Sequence, residues 1–220
     1  MSDDPETLRQ IEELAHDDRP LLVLDVDDVV LDFIGPFPRF LEAQGYELRF
    51  NSPRLHGNVF DLSSGAAAEA ETVSALIDDF FHGQADWQTM TEGAADAMAE
   101  IAQQAEIVLL TAMPHRHRET RRAYLNALGL PYPLLTTEMP KGPAIRKLRG
   151  DTGRPVAFVD DQPRNLISAG ESVPDAHLFL LVKDSRLRAL MAPPPEELIF
   201  VKNWHEALPL IKHALGLAGT

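Results

Sequence analysis

Short apolar runs that end abruptly in polar residues are the feature that most constrains the fold of this chain. The first run covers residues 21–24 and is followed directly by Asp25, with Asp27 and Asp28 close behind. A continuous apolar run of this length is typical of a parallel strand that is covered on both faces. Four further runs predict strands of the same kind, at residues 107–110, 155–159, 178–182 and 198–201.

Stretches with a helical spacing of apolar residues separate these runs. They cover residues 7–15, 91–105, 118–128, 143–149 and 204–215. Strands that alternate with helices predict an α/β protein, with a mostly parallel sheet that carries helices on both faces. The expected core is therefore Rossmann-like and has three layers. In such sheets ligands bind beyond the carboxyl ends of the strands, where the polar residues of this sequence lie.

Residues 35–87 break the alternation. The segment holds several prolines, and its alanine-rich stretch at 65–81 has helical character. We interpret it as a small, largely helical insert after the first strand. The sequence therefore predicts one α/β core domain, made of residues 1–34 and 88–220, with the insert between its two parts.

The formal net charge of -14, from 20 basic and 34 acidic residues, argues against a nucleic-acid partner. A small substrate or a metal ion fits this charge better. The absence of cysteine excludes disulfides and thiolate metal sites, and it suits a reducing compartment. The acidic N-terminus is the reverse of a secretory signal, and the apolar runs fall short of the ~20 residues of a membrane span. We expect a soluble, cytoplasmic protein without a membrane partner.

Polar residues that can carry chemistry follow the predicted strands or precede a predicted helix. In chain order they are Asp25, Asp27, Thr111, Lys141, Asp160 and Asp161. Phosphoryl transfer needs a nucleophile, a proton donor for the leaving oxygen, cations to offset the phosphoryl charge, and donors that hold the phosphoryl oxygens. These residues supply every one of those roles, so we expect them to meet at one edge of the sheet.

In this order, the residues resemble the four motifs by which the haloacid dehalogenase superfamily is recognised. Its motifs are an apolar strand before Asp-x-Asp, a strand ending in Thr or Ser, a lysine near the next helix, and a strand ending in acidic residues. The corresponding segments here are Leu-Leu-Val-Leu-Asp25-Val-Asp27, Ile-Val-Leu-Leu-Thr111, Pro-Lys141-Gly-Pro and Val-Ala-Phe-Val-Asp160-Asp161. The insert at 35–87 falls where many members carry a helical cap.

The resemblance implies a role for each motif residue. Asp25 would attack phosphorus to give an aspartyl-phosphate, and Asp27 would protonate the leaving alcohol and then activate the hydrolytic water. Thr111 and Lys141 would hold the phosphoryl oxygens. Members that cleave carbon–halogen bonds generally lack the second aspartate, so the presence of Asp27 argues against dehalogenase chemistry.

The same resemblance implies a Mg²⁺ cofactor, a hard ion that prefers oxygen ligands in octahedral geometry. Its ligands would be the Asp25 carboxylate, the Asp27 backbone carbonyl and a carboxylate from Asp160 or Asp161. The sequence leaves open which of the last two binds the ion directly. Asn165 is expected to orient this loop or to cap the next helix.

The function predicted is that of a magnesium-dependent phosphate-monoester hydrolase, a phosphatase that acts on a small soluble phosphorylated metabolite. The opening motif is somewhat similar to the deoxyribonucleotidase branch, which favours a nucleotide, although Asp28 stands where that branch commonly has glycine. A sugar phosphate is the other candidate. A phosphotransferase or phosphomutase would use the same residues and differ only in the acceptor.

Two alternatives lie outside the enzymes. A phospho-accepting signalling module similar to receiver domains would also gather acidic residues, a threonine and a lysine, but in receivers the lysine comes last along the chain. Here Asp160 and Asp161 follow Lys141. A catalytically silent homologue that only binds is the second alternative, and the intact aspartate pair argues against it.

Other polar residues have less specific interpretations. Asp28 and Asp32 are expected to shape the loop rather than to act in catalysis. The basic cluster at 115–118 is interpreted as a solvated helix start that continues through Arg121 and Arg122, although one of its members could touch the substrate. In the insert, the residues that could face the leaving group are Arg54, His56, Asn58, Phe60 and Trp87.

Overall fold

A computed structural model of the chain describes residues 4–15 and 17–218. The strands within these ranges are Leu21–Leu24 (β1), Tyr46–Leu48 (β2), Val59–Asp61 (β3), Glu106–Thr111 (β4), Leu134–Thr136 (β5), Val156–Asp160 (β6), His177–Leu181 (β7) and Ile199–Val201 (β8). The helices are Pro5–Glu12 (α1), Phe37–Ala43 (α2), Ala70–His82 (α3), Gln84–Trp87 (α4), Ala94–Ile101 (α5), Arg118–Ala127 (α6), Lys141–Arg149 (α7), Pro163–Ser172 (α8), Ser185–Leu190 (α9) and Trp204–Ala214 (α10). A turn of 3-10 helix covers His115–His117. No helix within the described ranges is both long and apolar enough to cross a membrane.

Six strands form one parallel sheet in the order β5-β4-β1-β6-β7-β8. β1 lies inside the sheet, paired with β4 on one side and β6 on the other. All the pairings are parallel, so the carboxyl ends of the strands share one edge. The five predicted strands are all present. β5 was not predicted, because a three-residue run flanked by prolines offers little periodicity to detect.

Helices cover both faces of this sheet. Alternate side chains of β1 point to opposite sides, so that Leu22 and Leu24 pack with residues of α5 and α10. Leu21 and Val23 pack instead with residues of α7 and α8. The predicted Rossmann-like fold with three layers is therefore confirmed.

Helices α7 and α8 approach each other closely at Gly142. The backbone N–H of Gly142 donates to Oγ of Ser168 at 3.1 Å. A Cβ at this position would lie 2.0 Å from the backbone carbonyl oxygen of Ser168, so only glycine permits the contact. This contact fixes the first turn of α7, and with it Lys141, against α8.

The chain between β1 and α5 forms a smaller unit with its own apolar cluster. It contains α2, α3, α4 and the antiparallel pair β2–β3, and the pair was not predicted because each strand has only three residues. The chain enters and leaves the unit side by side, since Asp32 N donates to Thr89 O at 2.8 Å and Thr91 N to Val30 O at 2.9 Å. Its cluster includes Phe33, Phe37, Phe40, Val73, Phe80 and Phe81.

Candidate active site

The carboxyl ends of three adjacent strands bring the predicted site residues together. Asp25 directly follows β1, Thr111 ends β4 and Asp160 ends β6, while Lys141 opens α7. A cavity of about 630 Å³ opens at this edge of the sheet. The predicted residues that line it are Asp25, Asp27, Thr111, Lys141 and Asp161.

Lys141 is a buried ammonium group between two carboxylates. Its Nζ lies 2.6 Å from Oδ1 of Asp25 and 2.7 Å from Oδ2 of Asp160. Burial on its own lowers the pKa of a lysine, but the two carboxylates outweigh burial and raise the pKa of Lys141 above its ordinary value. Lys141 is therefore a fixed positive charge in the site.

The carboxylates around Lys141 carry more negative charge than one lysine offsets. Burial raises the pKa of Asp25 to about 7; Lys141 opposes this shift, and the nearby charges of Asp160 and Asp27 add to it. Burial, followed by the neighbouring carboxylates, also raises the pKa of Asp161. In the described part of the chain no cation pairs with Asp161. Asp25, Asp160 and Asp161 each offer an oxygen within 4.8 Å of the others, a group that could hold a metal ion.

Asp160 and Asp161 have different surroundings. Asp160 is fully buried and, besides Lys141, accepts the backbone N–H of Gln162 at 2.8 Å. Asn165 Nδ2 donates to both of its oxygens at 3.0 Å, so Asn165 orients this loop, one of the two roles expected for it. Among the described residues Asp161 accepts only the side-chain amide of Gln162, at 2.6 Å. Asp161 lines the cavity, which Asp160 does not.

Thr111 is a buried hydroxyl at the wall of the cavity. Its side chain is almost fully enclosed, and its Oγ1 accepts the backbone N–H of Met113 at 3.1 Å. Within the described residues the hydroxyl proton has no acceptor. Thr111 can therefore donate a hydrogen bond to a group bound in the cavity.

The loop after β1 turns sharply at Asp28. This residue has a φ of 61°, in the left-handed region that aspartate tolerates better than most residues other than glycine. Its Oδ1 accepts the backbone N–H groups of Phe33 and Ile34, both at 3.0 Å. Burial raises the pKa of Asp28 to about 6, although Lys183 and these two N–H groups oppose the shift. Asp28 shapes the loop, as predicted, and its side chain makes contacts that a glycine would not.

Asp27 is held by two residues that lie outside the four sequence motifs, Arg121 and Gln88. Its Oδ1 accepts Nη2 of Arg121 at 3.0 Å and Nε2 of Gln88 at 2.9 Å. Arg121 is completely buried, so the prediction of a solvated basic cluster is wrong for this residue. The signal in the sequence was the spacing of Arg121 and Leu125, which places both on the buried face of α6, below the buried His117 that precedes the helix.

Other members of the basic cluster are paired with carboxylates, and Arg116 is also exposed to solvent. His117 is buried, with Nε2 2.5 Å from Oδ1 of Asp78 in α3, and Nε of Arg116 donates to the same oxygen at 3.0 Å. The hydrogen bond from His117, followed by that from Arg116, lowers the pKa of Asp78. Nε2 of His115 lies 3.1 Å from Oδ2 of Asp4. The predicted helix start is therefore correct, but its solvated character is wrong for His117 as well.

The outer wall of the cavity comes from the smaller unit. Of the residues singled out in the sequence, Arg54, His56 and Asn58 line the cavity, whereas Phe60 and Trp87 do not. Trp87 packs within the apolar cluster of the unit, and the guanidinium of Arg49 lies over the ring of Phe60. Apolar residues complete this wall: Phe33, Leu48, Phe50, Leu55, Ile77 and Phe81.

Comparison with known proteins identifies the fold. No family model and no curated protein matches the chain. A haloacid dehalogenase-type hydrolase from Bacillus subtilis, solved with magnesium bound, is 14% identical, with a TM-score of 0.61 over 90% of this chain and 99% of that chain. A haloacid dehalogenase-like protein of unknown function from Agrobacterium tumefaciens is 15% identical, with a TM-score of 0.59 over 90% and 99%. The chain therefore has the haloacid dehalogenase fold that its motifs implied.

Proposed function

We propose that the chain is a magnesium-dependent phosphate-monoester hydrolase. The observation that carries this proposal is the buried contact of Lys141 with Asp25 and Asp160 at the carboxyl ends of the strands. A carboxylate that is held by a fixed ammonium group and faces a cavity suits a nucleophile that attacks phosphorus. The shared fold supports the proposal, because the structural neighbours include a protein from Haemophilus somnus that is described as a predicted phosphoglycolate phosphatase. That protein is 12% identical to this chain, with a TM-score of 0.60 over 90% of this chain and 100% of that chain.

In the proposed reaction, Asp25 attacks the phosphorus atom while the bond from phosphorus to the leaving oxygen breaks, which gives an aspartyl-phosphate. Lys141 holds Asp25 through Oδ1, and Lys141 and Thr111 bind phosphoryl oxygens. Asp27 gives a proton to the leaving alcohol. It then takes a proton from the water that attacks phosphorus, while the bond from phosphorus to the Asp25 oxygen breaks. This step restores the Asp25 carboxylate and releases inorganic phosphate.

The carboxylates fit a magnesium ion. They are hard oxygen donors in one close group, and one lysine does not offset their charge. We propose the Asp25 and Asp161 carboxylates and the Asp27 backbone carbonyl as ligands, because Asp161 lines the cavity while Asp160 is committed to Lys141. When bound, the ion supplies positive charge that stabilises the phosphoryl oxygens in the transition state.

Residues 35–87 act, in this proposal, as a cap on a core of residues 1–34 and 88–220. The segment carries Arg54 and His56 into the cavity wall and has its own apolar cluster. A cap in this position would exclude bulk water during the reaction and select the leaving group.

The proposed substrate is a small phosphorylated metabolite. A cavity of about 630 Å³ is the size of many small-molecule sites. Arg54 and Arg164 line it, and the side chain of neither has an ion pair or hydrogen bond within the described residues. These free cations, beside the apolar wall, suit a leaving group that carries both an apolar part and a negative charge. Nucleotides and sugar phosphates remain the two candidate classes.

The test is hydrolysis of a panel of phosphate monoesters, including 4-nitrophenyl phosphate, with Mg²⁺, with EDTA, and with Asp25→Asn. A carboxamide is not a nucleophile of comparable strength, so kcat should fall at least about 10³-fold in the variant. Asp175→Asn is the control, because Asp175 is exposed and pairs with Arg149 away from the cavity. If Asp25→Asn turned over at the wild-type rate, Asp25 would not be the nucleophile. The amounts of free phosphate and released alcohol separate the two reaction types: they are equal in hydrolysis, whereas transfer to a second hydroxyl releases less free phosphate than alcohol.

A further inference from the structure

Arg121 is a buried cation that belongs to none of the four motifs. Its Nη2 donates to Oδ1 of Asp27 at 3.0 Å and to Oε1 of Gln88 at 3.2 Å. Gln88 donates to the same Oδ1 at 2.9 Å and to the carbonyl oxygen of Asp32 at 3.1 Å. The centroid of the Phe81 ring lies 5.6 Å from the guanidinium carbon of Arg121. Neither Arg121 nor Gln88 lines the cavity, so the two residues hold Asp27 without reaching the substrate.

Folding stability does not account for an arginine in this position. Its Nε and Nη1 are buried and have no hydrogen-bond partner within the described residues. Buried donors without partners cost free energy, and an apolar side chain of similar volume is often at least as stable as a buried ion pair. The contact that this arginine makes, and that an apolar side chain would not make, is its ion pair with Asp27.

We infer that Arg121 is a positioning residue which, together with Gln88, fixes Asp27 for proton transfer. This inference rests on the proposed function, because it concerns the role of Asp27 in that reaction. Both donors bind Oδ1, while Oδ2 accepts no hydrogen bond within the described residues. Asp27 itself lines the cavity, so its carboxylate has one oxygen anchored and one oxygen available.

This arrangement assigns the transferable proton to one atom. Because Oδ1 already accepts two hydrogen bonds, a proton on Asp27 is carried by Oδ2. In the first step the Oδ2–H bond breaks, and the proton moves to the leaving oxygen as the bond from that oxygen to phosphorus breaks. In the second step Oδ2 takes a proton from the attacking water. Arg121 stabilises the carboxylate between the two steps and prevents its rotation away from the reacting oxygen.

The dependence of the rate on the leaving group tests the inference. 4-Nitrophenol leaves as a stable anion and needs little protonation, whereas a simple alcohol needs the proton of Asp27. We would measure kcat/KM at saturating Mg²⁺ for 4-nitrophenyl phosphate and for the alkyl phosphate that the wild type hydrolyses fastest. Arg121→Met should lower kcat/KM about 100-fold for the alkyl ester and less than about 10-fold for the aryl ester.

Arg122→Met is the matched control. Arg122 is the next residue of α6, and its guanidinium donates to the backbone carbonyl oxygens of Leu130 and Tyr132, away from the cavity. Its loss removes an arginine from the same helix without touching Asp27. The ratio of kcat/KM between the two esters should therefore equal that of the wild type.

Two further variants keep the inference testable if Arg121→Met does not fold. Arg121→Lys retains the charge and should restore part of the activity with the alkyl ester. Gln88→Leu removes the second donor to Oδ1 of Asp27. It should also lower kcat/KM more for the alkyl ester than for the aryl ester, but by a smaller factor than Arg121→Met. Equal losses with both esters in the folded variants would overturn the inference. Absence of Mg²⁺-dependent turnover of every ester by the wild type would instead overturn the proposed function, and this inference with it.

Discussion

At the scale of single residues, one lysine is shared between two carboxylates. Lys141 contacts Asp25 and Asp160, and Asn165 further holds Asp160 in place. Within residues 4–15 and 17–218 Asp161 has neither a cationic partner nor a backbone donor, and burial raises its pKa. The two adjacent aspartates should therefore differ in function, one supporting the lysine and the other binding the metal ion.

The variants Asp161→Asn and Asp160→Asn separate these roles. Asp161→Asn should raise the Mg²⁺ concentration for half-maximal activity at least about 10-fold, because it removes a charged oxygen ligand. It should leave the metal-free protein no less stable, since one uncompensated carboxylate is gone. Asp160→Asn should lower the free energy of unfolding by about 2 kcal/mol, because Lys141 loses a buried partner. Metal titrations of activity and urea unfolding with EDTA measure the two effects. If Asp160→Asn raised the Mg²⁺ requirement and Asp161→Asn lowered the stability, Asp160 would be the metal ligand and Asp161 the residue that supports Lys141.

At the scale of elements, the position of Lys141 depends on the packing of α7 against α8. Gly142→Ala places a Cβ where the backbone carbonyl oxygen of Ser168 lies, so the helices must move apart. We expect a loss of about 2 kcal/mol or more, which lowers Tm by about 4 °C or more, and a fall in kcat as Lys141 shifts. Gly35→Ala is the control, since no atom lies within 4 Å of a Cβ there. Calorimetry and steady-state kinetics measure the outcome, and an unchanged Tm in Gly142→Ala would contradict it.

The elements also show why part of this site could be predicted from the sequence. Thr111 and Asp160 end buried apolar strands, and Asp25 directly follows another. The carboxyl ends of parallel strands share one edge, so local patterns sufficed to predict that these residues meet. Arg121 lies in a helix whose sequence is polar, and its burial comes from Phe81 and other residues distant along the chain. The composition of the helix did not carry that information, and only the spacing of Arg121 and Leu125 indicated a buried face.

Short elements were missed for a related reason. β2, β3 and β5 have three residues each, so alternation of apolar and polar residues has no length over which to appear. The β2–β3 pair nevertheless matters for the site, because Arg54 and His56 in its connecting loop line the cavity. Strands β1, β4, β6 and β7 were predicted because four or more consecutive buried apolar residues are a pattern of their own, and β8 was predicted from the apolar run at 198–201.

At the scale of the whole molecule, the metal-free protein carries buried negative charge that its cations do not offset. Burial raises the pKa of Asp25 to about 7 and that of Asp28 to about 6, and it also raises the pKa of Asp161. A group whose pKa is higher in the folded than in the unfolded state makes the folded protein bind more protons. Its effect on stability is therefore favourable at low pH and is lost as pH rises through the folded pKa.

The raised pKa of Asp25 gives a prediction for the dependence of stability on pH. Between pH 5 and pH 8, with EDTA present, Tm of the wild type should fall relative to Tm of Asp25→Asn, by more than about 4 °C, because the variant has no carboxyl group to ionise at this position. Acidic residues with lowered pKa values, such as Asp78, are present in both proteins, so their contributions cancel in the comparison. Mg²⁺ at pH 8 should raise Tm more in the wild type than in Asp25→Asn. Thermal unfolding by circular dichroism measures each Tm, and a difference that stays constant with pH would mean that Asp25 is already ionised at pH 5 in the folded protein.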